Sequence, residues 1–383
     1  MSDQPIYFDY AAATPLDEHV LQAMQPYFSA SFYNPSATYA SASGVRKALD
    51  SARSNIAHWL GARSSEIIFT AGGTEANNLA IHGVMRQFPG GNIVVSAIEH
   101  ESVLLPARNY DCREIAVQPD GQLDLDDLKR KIDDKTVLVS IMYANNEIGT
   151  VQSLRQISQI LTEIRSSRQP AAVNRPLLFH TDACQAANYL DLHVARLGVD
   201  LLTLNGGKIY GPKQSGSLYV KAGTQLLPLI EGGGQERGLR SGTENVAAAV
   251  GLATALNSAQ ANRRDETNRL QTLQRQCFDG LHKDVPQARV NGSLKKRLPN
   301  NLHLTLDGYD NERLLVQLDE RGILAAAGSA CSASNEEPSH VLRALGLTDQ
   351  EAQASLRFTM GRQTSTEDVQ RLLTILRQLT HSK

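Results

Sequence analysis

The chain has 383 residues, and 38 Lys plus Arg stand against 40 Asp plus Glu for a formal charge of −2. At roughly 150 residues per domain this allows two or three units, and 41% hydrophobic with 20% charged residues permits a large core and excludes bulk disorder. The balanced charge removes the electrostatic case for direct binding to nucleic acid or an anionic membrane. No apolar run reaches the roughly 18 to 20 residues of a membrane helix. The start, MSDQPIYFDYAAATPLD, lacks the basic and then apolar pattern of a signal peptide. Four cysteines, Cys112, Cys184, Cys277 and Cys331, are scattered without zinc spacing, so neither a metal site nor a disulfide framework is expected. A reducing cytoplasm is the expected setting.

An extended start over residues 6–10 precedes a repeating pattern of short apolar run, polar turn and amphipathic stretch. The apolar runs cover residues 67–70, 93–96, 137–142, 177–180 and 201–204. Helical patterns fall at 43–60, 74–85, 102–110, 154–165 and, as one long helix, 245–281. In the first of these, Val45, Ala48, Leu49, Ala52, Ile56 and Leu60 share a face, and Gly61 follows as a stop. Strands alternating with helices predict an α/β unit with a mostly parallel, buried sheet. Later segments change character. Strands near 289–292, 301–306 and 355–359, with helices near 311–321 and 366–379, predict a smaller α+β unit. The expected division is a large unit over residues 15–255 and a smaller one built from 1–14 and 256–383.

In open α/β sheets, ligands bind beyond the carboxyl ends of the strands. The run at 67–70 leads into AGGTEANN, where glycines and a helix start at Thr74 suit a phosphate. The run at 93–96 leads to His100, that at 137–142 to Asn145 and Asn146, that at 177–180 to Asp182 and Gln185, and that at 201–204 to Asn205 and Lys208. Singly, each has an ordinary reading as a capped helix, a turn or a loop lysine. Together, five strand ends would deliver a phosphate seat, an aromatic base, an amide, a carboxylate and a lysine to one sheet edge. Pyridoxal phosphate needs such a set: a lysine for its aldehyde, an acid facing its ring nitrogen, a phosphate anchor and a flat group against the ring.

The ordered motifs FDYAAATP, NPSA, FTAGGTEANN, EHESV, NNEIG, HTDACQ, KIYGPK, GGGQERGLRSGT, GSACSAS, EPSHVLRALGL and SLRFTMGR span nearly the whole chain. On them the sequence resembles the cysteine desulfurases of the NifS/IscS type, within the fold-type I pyridoxal-phosphate enzymes. The resemblance implies that Lys208 binds the cofactor covalently, Asp182 faces the pyridine nitrogen and Gln185 the ring hydroxyl. His100 would stack on the ring and move protons. Gly73, Thr74 and Asn205 would lie by the phosphate, with Thr243 reaching it from a second subunit. Asn146 would stand beside cofactor and substrate, with Asn34 and Arg357 on the substrate side, Arg357 clamping its carboxylate. Cys331 would take sulfur as a persulfide. Its segment is rich in Ala, Gly and Ser, which suits an accessible thiol. The family usually carries Ser or Thr, Gly and His before the lysine, whereas this chain has Asn205, Gly206 and Gly207, which predicts weaker cofactor retention.

These implications amount to a cytoplasmic homodimer that converts L-cysteine to L-alanine. It would pass sulfur to an acceptor protein, an iron–sulfur scaffold or a tRNA-thiolation carrier. The chain ends at Lys383, soon after the last helix, without the extension some members use to meet a scaffold. The same fold also serves selenocysteine lyases and small-amino-acid aminotransferases. A cofactor-binding protein acting as a scaffold is the alternative outside catalysis.

Overall fold

The computed structural model describes residues 5–168, 175–328 and 338–381. Its strands in chain order are β1 (Ile6–Tyr7), β2 (Ile67–Thr70), β3 (Asn92–Ser96), β4 (Asp111–Ile115), β5 (Thr136–Ser140), β6 (Leu178–Asp182), β7 (Leu201–Asn205), β8 (Gly216–Val220), β9 (Ala288–Val290), β10 (Asn301–Leu306), β11 (Ile323–Leu324) and β12 (Ser355–Thr359). A seven-stranded sheet has the order β2-β8-β7-β6-β5-β3-β4. Only β8 runs against its neighbours. All five expected apolar runs are therefore parallel, and their carboxyl ends share one edge.

Alternation along the strands makes three layers. Ile93 and Val95 of β3 pack with Leu79, Val84 and Val103 from helices Gly73–Gln87 and Glu101–Ala107. Val94 points the other way, into a core with Ile56, Leu161 and Leu252 from helices Ala40–Leu60, Leu154–Ser167 and Val246–Ala261. Both faces are covered, so β3, β5 and β6 are buried throughout and read as continuous apolar runs rather than alternating ones. Two strands of the large sheet escaped the sequence reading. β4 (DCREI) is a charged edge strand, and β8 (GSLYV) opens in Gly and Ser, residues that usually mark a turn.

The single long helix expected at 245–281 is instead two, Val246–Ala261 and Arg263–Asp284. Asn262 separates them, and its side-chain amide donates to Ser258 O at 2.9 Å, a local bond that competes with helix propagation. The break falls where the buried face changes partners. The first helix packs on the large sheet, and the second sends Leu270, Leu273, Cys277 and Leu281 into another core. That core lies on the antiparallel sheet β12-β10-β9 and the final helix Thr366–His381. The extended start joins it: β1 pairs with β11, and Asp9 bridges to Thr359. Among the described residues, no helix is long and apolar enough to cross a membrane.

Candidate active site

The turn after β2 is shaped by Gly72, whose φ of 136° is open to glycine and strained for other residues. It directs the chain into the 15-residue helix Gly73–Gln87, whose first N–H groups are unsatisfied and carry the positive end of its dipole. A side chain at Gly73 would not fit, since its Cβ would stand 2.7 Å from Cys184 Sγ and 3.4 Å from Asn205 Nδ2. Glycine there lets other groups approach the helix start, and the Asn205 amide stands beside it.

One cavity is lined by Gly73, Thr74, His100, Asn146, Asp182, Gln185, Asn205, Lys208 and Arg357, so the structure brings together most of the expected site. Asp182 closes β6; its Oδ1 accepts from Cys184 N at 2.8 Å and its Oδ2 from Asn77 Nδ2 at 2.7 Å. His100 caps helix Glu101–Ala107, with Nδ1 accepting from Ser102 N at 3.0 Å and lying 2.8 Å from Ser102 Oγ. Lys208 Nζ donates to Ala11 O at 2.9 Å and Ala12 O at 2.6 Å, and Gln185 Nε2 donates to the same Ala11 carbonyl at 3.0 Å. The lysine turn is braced from the same segment, since Thr14 N donates to Gly207 O at 3.2 Å. Asn205 Oδ1 accepts from Gly207 N at 3.0 Å, which leaves its amide nitrogen as the group beside Gly73.

The two asparagines of NNEIG divide. Asn145 is wholly buried and structural: its Oδ1 accepts from Glu147 N and Ile148 N, and its Nδ2 donates to Ile98 O. Asn146 lines the cavity, and its carbonyl accepts from Arg357 Nη1 at 3.1 Å. Arg357, in the middle of β12 and 1% exposed, also donates from Nη2 to Asp9 Oδ1 at 2.7 Å. Its Nε has no hydrogen-bond partner among the described residues. A buried, cavity-lining guanidinium whose Nη1 and Nη2 each make one bond and whose Nε makes none keeps donors for a ligand carboxylate.

Two expected residues lie elsewhere. Thr243 is exposed and lines a second cavity with Thr70, Gln214 and Arg240 rather than the Lys208 cavity. Asn34 is exposed, does not line the Lys208 cavity, and accepts from Ser36 N at 2.8 Å. Cys331 lies outside the described residues. Its flanks are described: Ala326 and Arg357 bond through both backbone N–H groups, at 3.2 and 2.6 Å, and Ser339 Oγ donates to Glu147 Oε2 at 2.6 Å. Gly328 faces that same carboxylate. The ends of the Cys331 segment thus stand by the NNEIG turn and Arg357.

The other cysteines are poor nucleophiles. Burial pushes Cys112 up to about 11 and Cys277 up to about 12. It holds Cys184 well above its ordinary value, with the Asp182 charge adding to the effect. All three remain thiols at neutral pH. Sequence reasoning missed Asn77, Ser102, Asp9, Glu99 and the carbonyls of Ala11 and Ala12. Asn77, Ser102, Asp9 and Glu99 all sit within quoted motifs, so the available signal was their place beside residues already singled out. Glu99 is wholly buried, its Oε1 accepts from Met142 N at 2.6 Å, and burial raises its carboxyl well above the usual range.

Fold and cavity together define an α/β enzyme that binds its ligand at the carboxyl ends of a parallel sheet. The aminotransferase class-V family model matches residues 6–372. The chain belongs to that family, among the cysteine desulfurases of the NifS and IscS kind. It is 40% identical over 381 residues to cysteine desulfurase IscS of Dictyoglomus turgidum, covering 98% of this chain and 94% of that protein. It superimposes on the NifS-like protein of Rickettsia africae with a TM-score of 0.88 at 29% identity, over 99% of this chain and 100% of the other. SspA, solved in complex with cysteine, gives a TM-score of 0.77 at 35% identity, over 92% of this chain and 98% of that one.

Proposed function

We propose that the chain takes sulfur from L-cysteine with the help of pyridoxal 5'-phosphate, leaving L-alanine and a persulfide on Cys331. The observation that carries this is the convergence of Lys208, Asp182, His100, Arg357 and the Gly73–Thr74 helix start on one cavity. The donor set fits the cofactor: a helix start with no side chain at Gly73 for the phosphate, a carboxylate for the ring nitrogen, and a lysine for the aldehyde. When bound, the cofactor supplies a cationic ring that draws electrons from the substrate Cα.

The remaining work belongs to the chain. Asp182, held from both sides by Asn77 and Cys184 N–H, keeps a fixed negative charge towards the ring nitrogen. Lys208 holds the cofactor and, once released by substrate, takes the Cα proton. Arg357 binds the substrate carboxylate and so orients its sulfur. The Cys331 thiolate attacks that sulfur; an S–S bond forms, the C–S bond breaks, and the electron pair stays on the carbon skeleton. Protons returned by His100 and Lys208 complete alanine. The overall balance is cysteine plus thiol to alanine plus persulfide.

The same reading makes the protein a cytoplasmic homodimer in which Thr243 serves the neighbouring subunit's phosphate. Residues 15–255 hold the cofactor, and 1–14 with 256–383 bring Cys331 and Arg357 to it. An acceptor protein, an iron–sulfur scaffold or a tRNA-thiolation carrier, then takes the sulfur. The test is alanine and sulfide release from protein, pyridoxal phosphate, L-cysteine and a reductant. The wild type should yield both, Lys208→Ala should fall by roughly 10²- to 10⁴-fold or more, and Cys331→Ala should lose sulfide transfer. Full turnover by Cys331→Ala would overturn the proposal.

A further inference from the structure

We propose that Asn77 is a positioning residue that sets the tautomer of His100. By donating to both Asp182 and Ser102, it turns the Ser102 hydroxyl hydrogen onto His100 Nδ1, so the neutral ring offers Nε2–H to the cavity. Asn77 is 1% exposed, and its Nδ2 lies 2.7 Å from Asp182 Oδ2 and 2.9 Å from Ser102 Oγ. The oxygen and nitrogen of an amide have nearly the same shape, so the neighbours must decide which end is which. Here the carboxylate decides, because it can only accept. Both amide hydrogens are then used, one towards Asp182 and one towards Ser102.

The Ser102 oxygen therefore accepts, and its single hydrogen is left for His100 Nδ1 at 2.8 Å. The backbone N–H of Ser102 also points at Nδ1, at 3.0 Å. A ring nitrogen that accepts from two donors carries no proton, so in the neutral ring the proton sits on Nε2. Asn77 Oδ1 is buried without a partner. The amide thus leaves its own acceptor unmatched while its donors join Asp182 to the Ser102–His100 pair. Resting on the function proposed above, the consequence is that the neutral ring presents a hydrogen-bond donor, Nε2–H, rather than an acceptor to the cavity, and Lys208 is the base for Cα.

The experiment reads the ring directly. ¹H–¹⁵N correlations of histidine-labelled, cofactor-free protein report which ring nitrogen carries the proton, with His100 assigned by its absence in His100→Gln. The wild type should show the proton on Nε2; a proton on Nδ1 overturns the proposal. Asn77→Asp replaces a donor with an acceptor, so the Ser102 hydroxyl should turn towards the introduced carboxyl and accept from Nδ1–H instead. The proton should then move to Nδ1, and adding Ser102→Ala should return it to Nε2 through the backbone donor. An equal change with and without the serine hydroxyl would make Asn77 merely structural and overturn the proposal. If Asn77→Asp does not fold, Asn77→Leu frees the Ser102 hydroxyl from its donor, and a neutral ring that stays wholly in the Nε2–H form there would overturn the role of Asn77. Because the measurement needs neither cofactor nor substrate, its failure leaves cysteine turnover standing, and loss of turnover leaves the tautomer standing.

Discussion

Three arginines are buried among the described residues, and two of them, Arg53 behind the parallel sheet and Arg357 at the cavity, have surroundings that differ. Arg53, on helix Ala40–Leu60, meets Glu236 through both terminal nitrogens at 2.7 Å, donates to Ile67 O at 2.7 Å, and lies 4.7 Å from the centre of the Phe69 ring. Glu236 also accepts from Phe69 N at 2.9 Å, so the pair ties helix, strand β2 and the 236 turn together. Arg357 lines the cavity with a single bond to Asp9, a second to a backbone carbonyl, and a buried Nε that has no partner among the described residues. A guanidinium whose fork is met by protein carboxylate and carbonyl is a structural tie. One held at only part of its fork keeps capacity for a ligand.

Breaking the structural tie should have the largest effect. Glu236→Ala leaves Arg53 charged and buried, and should lower unfolding free energy by about 3–5 kcal/mol in denaturant titration. The KM for cysteine in the folded fraction should not change; a raised KM would erase the contrast between the two arginines. Arg357→Lys should do the reverse. A point charge cannot replace the fork, and losing a charge-assisted bond of about 1.5–3 kcal/mol should raise KM by roughly 10- to 100-fold. A variant with unchanged KM would place substrate carboxylate elsewhere.

The phosphate end of the cavity allows a gain. A Cβ at Gly207 would meet Asn205 Oδ1 at 3.5 Å and Lys213 Cγ at 3.6 Å, ordinary contacts, so a side chain can enter there. Gly207→His should tighten cofactor binding by up to about 10-fold, one added bond of about 1.4 kcal/mol, as read by fluorescence titration; no gain would show that Asn205 and the helix start suffice. The smallest effect belongs to Cys184→Ala. Its thiol stays protonated in its buried place, so turnover should hold within a few fold and stability within about 1–2 kcal/mol. Loss of turnover would give Cys184 the chemical task that its environment argues against.

Much of this was legible in the chain. The parallel strands announced themselves as short apolar runs because burial on both faces removes the need for alternation. The residues just after them could be named because the carboxyl ends of parallel strands face one way. Other features could not be read. The helix break at Asn262 hides between two good helical patterns and depends on one side chain bonding back to Ser258. β4 and β8 carry charge or glycine that masks a strand. Asn77 reads as one more residue of a helix, and its meaning arises only from a carboxylate 105 positions later.

The sequence by itself determined the α/β class, the order of the cofactor-type residues and the family, since each follows from local periodicity or from short motifs in fixed order. The tertiary structure decided which of those residues meet. It brought Ala11 and Ala12 to Lys208, Asp9 to Arg357, and Asn77 between Asp182 and Ser102. Hydrogen-bond partners hundreds of residues apart leave no periodic trace in a chain, because geometry at 3 Å is set by how whole layers pack and not by neighbours in sequence.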